Sequence, residues 1–251
     1  MKKRISLAAT WAVFVAAASL QVQAATFNVN DAFKANEIPG PAANPNGAYS
    51  YGYTSDPTGT GNFSTAGMVH TSAFNGNGGL AGYFIPNSAI VPAVLENVSG
   101  APMAVNYGAN LQKDELLLHP GGIGPDAFAD PIMSADLRYQ VQTTGDYNIS
   151  GLFEQAHSGT TDVHVFINGV SAFDSLSTSS LASRTFNFTQ NITAGQYVDF
   201  VVGPSGDGIG GDSTGLFANI NAVPEPATLA IWGCGALGFA FAASRRRKQA
   251  A

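Results

Sequence analysis

The chain predicts an all-β fold, a two-sheet β-sandwich, on three observations. Between residues 26 and 222 no long stretch repeats apolar residues at the 3.6-residue helical period, whereas several runs alternate apolar and polar residues with a period of two. In the second half these runs recur about every ten residues, the spacing of packed antiparallel sheets. The body is also poor in charge and rich in Gly, Ser, Thr, Asn and Phe, which suits strands joined by turns.

The first half offers Tyr49–Tyr53, Gly82–Ile85, Ala93–Val98 and Glu115–Leu118 as strands, separated by Gly/Asn/Pro loops such as Phe74–Gly79, with Ala35–Gly47 irregular. In the second half Arg138–Gln142 and Tyr147–Phe153 alternate around Thr144-Gly145-Asp146 and read as adjacent half-buried strands. Val163–Ile167 and Val170–Asp174 flank Asn168-Gly169, a strong hairpin signal because both turn residues accept positive φ. Arg184–Ile192 places Phe186 and Phe188 on one side, Tyr197–Val202 comes after Thr193-Ala194-Gly195, and Leu216–Ile220 closes the set.

The two ends are different in kind. Lys2-Lys3-Arg4 precede an apolar segment, Ile5–Leu20, and Val22-Gln23-Ala24 offers the small residues that a signal peptidase reads, so residues 1–24 read as a secretory signal helix. At the other end Val223-Pro224-Glu225-Pro226 precedes an apolar run of 17 residues, 227–243, and then Ser244-Arg245-Arg246-Arg247-Lys248. The run reaches the lower limit for a membrane-spanning helix, and the cations hold the far end on the cytoplasmic side. Glu225 lies between two prolines that keep the segment extended. Residues 25–222 are then the sandwich domain and 223–251 the terminal segment. Most of the cations lie in these ends. The body keeps Lys34, Lys113, Arg138 and Arg184 against sixteen carboxylates, a formal balance of −12, which repels phosphate backbones and argues against a nucleic-acid partner. Cys234, the one cysteine, lies in the apolar run, so the body has no disulfide and no thiolate chemistry.

The order Pro-Glu-Pro, apolar span and basic tail resembles the PEP-CTERM sorting signal of bacterial surface proteins. The resemblance implies export, a transient inner-membrane anchor, processing by an exosortase, and association with exopolysaccharide or biofilm at the cell surface. In the body, Leu118-His119-Pro120-Gly121, Gly145-Asp146-Tyr147, the Val163–Gly169 hairpin, Ala194–Phe200 and Asp212-Ser213-Thr214-Gly215 look like the jelly-roll, carbohydrate-binding-module-like domains of exported proteins, and Asn46–Gly52 is similar to their first strand. This implies a jelly-roll-like sandwich and a carbohydrate ligand.

A catalytic set is hard to assemble. His70, His119, His157 and His164 show no close metal-ligand spacing, and no Gly-x-Ser-x-Gly elbow occurs. His164, between Val163 and Val165, is expected to face away from them toward solvent. Glu37, Glu96 and Glu115 have no recognisable acid/base setting. Gly206–Gly211 spells G-x-G-x-x-G, but Asp212–Phe217 reads as a strand, so the helix amides that would hold a pyrophosphate are missing. In that loop Asp207 and Asp212 are hard oxygen ligands suited to calcium, with Asp126 and Asp130 as helpers. Tyr49, Tyr51 and Tyr53 share one strand face, either as core or as a platform for sugar rings, and His119 stands at a strand end beside a loop. Asn-x-Ser/Thr occurs at Asn62, Asn97, Asn148, Asn187 and Asn191, read as chance in an Asn/Ser/Thr-rich strand protein. The expectation is a non-enzymatic exported matrix protein. The alternatives are an adhesive protein that contacts other proteins, and a glycan-acting hydrolase.

Overall fold

A computed structural model describes residues 26–35, 44–45, 47–55, 63–86, 92–104, 110–123, 131–177, 183–206 and 208–223. The signal segment 1–24, Asp126, Asp130, Asp207, Pro224-Glu225-Pro226, the run 227–243 and the basic tail lie outside them. In chain order the elements are β1 (Thr26–Asn28), α1 (Val29–Ala35), β2 (Tyr49–Thr54), β3 (Val69–Thr71), β4 (Leu80–Phe84), β5 (Ala93–Asn97), β6 (Met103–Ala104), β7 (Asn110–Leu111), β8 (Leu116–His119) and β9 (Gly121–Gly122). The longer strands come next: β10 (Ile132–Gln140), β11 (Gly145–Gln155), β12 (Thr161–Ile167), β13 (Val170–Ser177), β14 (Ser183–Ile192), β15 (Tyr197–Pro204) and β16 (Thr214–Ala222).

Among the described residues the protein is all-β apart from α1. One sheet runs β14-β11-β16-β8-β5-β4-β3, with β1 also on β16; the other runs β13-β12-β15-β10-β2, with β9 on β10. Strand alternation sends one side chain in two into the space between them. Tyr83, Val94, Leu116, Leu118, Ile149, Phe153, Leu216 and Ile220 from the first sheet meet Tyr51, Leu137, Tyr139, Val163, Val165, Phe200 and Val202 from the second in one core. Gly151 allows the sheet to close at its centre, since a Cβ there would lie 2.1 Å from the Phe217 carbonyl oxygen and 2.6 Å from the Phe186 ring. The loop carrying β6 and β7 covers the outer face of β4, β5 and β8 with Leu111 and Met103. Asn97 ties that loop down, donating to the carbonyls of Ala101 and Gln112 at 2.8 Å each.

The strands expected in the second half are present, and Asn168 and Gly169 turn the β12–β13 hairpin at φ 50° and 79°. Their partners differ from expectation in one respect. Arg138–Gln142 and Tyr147–Phe153 are not neighbours: β10 pairs with β15 and β2, and β11 with β14 and β16, in opposite sheets. Alternation reports that one face is buried, not which sheet buries it. At the crossing the Tyr147 hydroxyl donates to the Thr143 carbonyl at 2.7 Å, and the Ala194 N–H donates to Thr144 Oγ1 at 2.9 Å. The loop after Gly206 leads into β16, as expected, and not into a helix.

Helix α1 was not foreshadowed by periodicity, because seven residues give too few turns. Asn28 caps it, its Oδ1 accepting the N–H groups of Asn30 at 2.9 Å and Asp31 at 3.1 Å. Val29 and Phe33, one turn apart, are buried in the core, and Phe33 meets the Tyr51 ring edge-on at 4.9 Å. On one side β16 is paired by β8 over Thr214–Leu216 and by β1 over Asn219–Asn221, which leaves a gap between them. The buried Asn30 amide fills it, donating to the Leu216 carbonyl at 2.9 Å and accepting from the Ala218 N–H at 3.3 Å.

Candidate functional site

The three tyrosines singled out in the sequence do not form an open platform. Tyr49 and Tyr51 are 5% and 1% exposed; Tyr49 packs on Tyr139 at 5.0 Å and Tyr51 stacks on Tyr83 at 4.6 Å. Both rings are core and neither presents a face to solvent. Tyr53, half-buried at the rim, donates its hydroxyl to the Ala66 carbonyl at 3.0 Å. Asp212 is fully buried, with Oδ1 so close to Gly159 that a Cβ there would lie 2.2 Å away. Asp207 lies outside the described residues.

His119 ends β8, within electrostatic reach of His157. Burial, with His157 adding to it, lowers its pKa from 6.5 to about 4 against the opposing contact of Nδ1 with the Pro120 carbonyl, so the ring is neutral near pH 7. Glu115 is the reverse case. Burial raises its carboxyl to about 7; the Gln112 N–H, donated to Oε2, opposes this, and the Glu154 carboxylate adds to the rise. A buried carboxyl raised toward neutrality is one element of general acid catalysis. Here, however, Glu115 is 1% exposed, folded against Gly215 and committed to the Gln112 N–H, which is a structural setting.

On the second sheet's outer face, Arg138 donates from Nε and Nη2 to the two oxygens of Asp199 at 2.6 and 2.9 Å. Its guanidinium lies 4.2 Å from the Phe63 ring centre and 4.5 Å from that of Tyr197. Asp136 is 2% exposed; burial and the Asp199 charge raise its carboxyl well above the usual range, partly offset by Arg138. His164 shares this face. It points away from Val163 and Val165 as expected, but it is 5% exposed rather than open to solvent.

The open polar surface lies on the first sheet. Cross-strand register sets Asn28, Asn219, Ser150 and Asn187 in one row over β1, β16, β11 and β14, with Asn221, Asn148 and Thr189 in the next. Asn148 donates to Asn187 Oδ1 at 2.8 Å, and Asn191 to Asp146 Oδ1 at 2.8 Å. Phe217, half-buried, heads the next row beside Leu152 and Thr185. The result is a ladder of amides and hydroxyls beside one aromatic ring, in which Asn148 and Asn187 are joined to each other and the Asn221 oxygen is buried. The recurrence of Asn-x-Ser/Thr was its signal in the sequence: a period of two places the Asn of Asn148-Ile149-Ser150 and Asn187-Phe188-Thr189 on the same outer face as the hydroxyl two residues on.

The carboxy-terminal segment matches the PEP-CTERM protein-sorting motif over residues 222–248. No curated protein matches the chain significantly. Among solved structures, a CBM51 from Clostridium perfringens GH95 in complex with methyl-galactose aligns with a TM-score of 0.33 and 14% identity, over 48% of this chain and 79% of its own. A family 35 carbohydrate binding module from Clostridium thermocellum aligns with a TM-score of 0.29 and 13% identity, over 47% and 85%. The CBM36-1 domain of a multidomain xylanase from the hindgut metagenome of Trinervitermes trinervoides gives 0.31 and 10%, over 53% and 98%. The sorting motif marks the protein as exported, anchored in the membrane and then processed at its carboxy terminus. Among the described residues no helix is long and apolar enough to cross a membrane, and the run 227–243 lies outside them.

Proposed function

We propose that this is a non-enzymatic protein of the cell surface or extracellular matrix, whose sandwich body contacts extracellular polysaccharide after its carboxy-terminal handle is removed. In this reading residues 1–24 direct export, 25–222 are the cargo, and 223–251 are read by an exosortase at Pro224, Glu225 and Pro226. The sorting motif at 222–248 carries it. Replacing Pro224, Glu225 and Pro226 together by alanine is expected to leave an unprocessed precursor in the inner-membrane fraction, seen as a larger band with an epitope inserted before residue 223. Normal processing and location in that variant would overturn the reading.

The ligand rests on a separate observation, the amide ladder. Sugar hydroxyls are paired donors and acceptors on adjacent carbons, and carboxamides held rigid on a sheet match them without charge, with Phe217 offering an apolar contact for a ring face. Asn187→Ala and Asn148→Ala are each expected to weaken retention on the producer's own polysaccharide by roughly 2- to 10-fold, the worth of a hydrogen bond. Retention unchanged in the double variant would remove the ladder from the site.

An adhesive role toward other proteins has one observation in its favour. β13 is an edge strand of the second sheet, and it exposes Val170 at 70% and Leu176 at 48%. Recovery of protein partners from the matrix, with no retention on any polysaccharide, would favour that role.

A further inference from the structure

We propose that Asp162, His164 and Asp174 form a binding site for one divalent transition-metal ion of the zinc type, on the outer face of the β12–β13 hairpin. Two features of strand geometry bring them together. Asp162 and His164 are two residues apart on β12 and so share a face, while Asp174 is the direct cross-strand partner of His164 on β13. One ligand atom from each residue can be chosen so that all three lie within 4.8 Å of one another. His164 Nε2 is 3.1 Å from Asp162 Oδ2, and Nδ1 is 3.6 Å from Asp174 Oδ1. Ligand bonds of about 2.0–2.2 Å at tetrahedral or octahedral angles place neighbouring donor atoms roughly 3.0–3.4 Å apart. The His164–Asp162 pair therefore already has the spacing of two ligands on one ion.

The imidazole itself is the second observation. His164 is 5% exposed, yet neither ring nitrogen makes a hydrogen bond, although two carboxylates face them. A buried ring with both nitrogens unsatisfied is costly unless something else takes a lone pair. Its orientation is fixed by stacking on Phe166, at 5.2 Å and 20°, and by Val201 beside it on β15. Asp174 supplies the adjustable part, because its side chain is 67% exposed and can swing in behind an arriving ion. A neutral imidazole and two carboxylates carry the charge that balances a divalent cation. On the same face Arg138 is held by Asp199, so it does not compete for these carboxylates. One nitrogen with two oxygens favours zinc-like ions; calcium requires six to eight oxygens, which three side chains do not approach. Water would complete the coordination on the exposed side.

The test uses the untagged full chain in detergent, stripped with EDTA and titrated with Zn²⁺ against a chromophoric chelator, with thermal unfolding in parallel. One zinc per chain is expected, with a rise in Tm that chelation reverses. Affinity is expected to fall at least 10-fold in His164→Gln and in Asp174→Asn. Asp174 is exposed, so its variant keeps the fold even if the His164 variant does not. Absence of zinc binding, equal affinity in Asp174→Asn and the wild type, or stabilisation by Ca²⁺ and not by Zn²⁺ would each overturn the proposal.

Discussion

Arg138→Met is expected to destabilise the protein by about 3–5 kcal/mol near pH 7, the cost of leaving buried carboxylates without their counter-ion. The two Arg138 hydrogen bonds occupy both oxygens of Asp199, whose side chain is only 4% exposed, and the Asp136 carboxyl depends on the same guanidinium. Removing the arginine therefore strands one carboxylate and worsens a second. It also empties the slot between Phe63 and Tyr197. For a body of this size the change corresponds to a Tm lower by roughly 6–20 °C. Arg138→Lys recovers little, because an ammonium cannot make the bidentate contact or stack between rings. Asp136→Asn makes the opposite prediction. Asp136 Oδ1 is buried without a hydrogen bond and its charge is disfavoured, so the neutral amide is expected to be neutral or stabilising. A loss below about 1 kcal/mol in Arg138→Met would mean that both carboxyls hold protons at pH 7, and that the Arg138–Asp199 pair is not ionic.

Glu115→Gln is expected to gain stability over the wild type as pH rises, by on the order of 3 kcal/mol between about pH 4.5 and 7.5. The sign comes from proton counting. Burial raises the folded carboxyl from 4.5 to about 7, so between those values the folded chain holds a proton that the unfolded chain has released. The stability from Glu115 is complete below about 4.5 and is lost as pH climbs through 7. Glutamine mimics the protonated acid and can still accept the Gln112 N–H through its oxygen. His119 works in the other direction: with its pKa lowered from 6.5 to about 4, its contribution is complete above 6.5 and is lost as pH falls toward 4. The two trends overlap and oppose each other, so the wild-type profile alone hides both. The difference between variant and wild type in urea midpoints across about pH 4–8 isolates Glu115. A difference independent of pH would show that its carboxyl titrates normally.

The residues that made the fold legible were those whose constraint is local. Asn168-Gly169 specified a hairpin because few other pairs accept two positive φ values, and the alternation in Arg184–Ile192 specified a half-buried strand. What lay beyond the sequence was long-range. Tyr49, Tyr51 and Tyr53 have a common face whether that face is core or platform, and only Tyr139 on the neighbouring strand and Tyr83 in the facing sheet place Tyr49 and Tyr51 in the core. The passage of Thr143 and Thr144 from one sheet to the other leaves no mark in a period-two pattern. The Asn-x-Ser/Thr repeats that lie along the amide ladder read as chance in the sequence, because the ladder's continuity across four strands is a matter of register. The Asp162–His164–Asp174 group needed the β12–β13 register to bring Asp174 opposite His164.

The pairing of β1 with β16 bears on how the body responds to mechanical load. Thr26 lies opposite Asn221, so the chain enters and leaves the body side by side. A pull along the strand axis through Val223 would act on β16, which is paired to β11 at nine positions from Tyr147–Ala222 to Gln155–Thr214 and held on its other side by β8, Asn30 and β1. Such a pull shears many hydrogen bonds together instead of unzipping them one at a time, and forced unfolding is governed by that kinetic barrier rather than by equilibrium stability. The strand that leads into the sorting segment is thus the one best placed to bear tension.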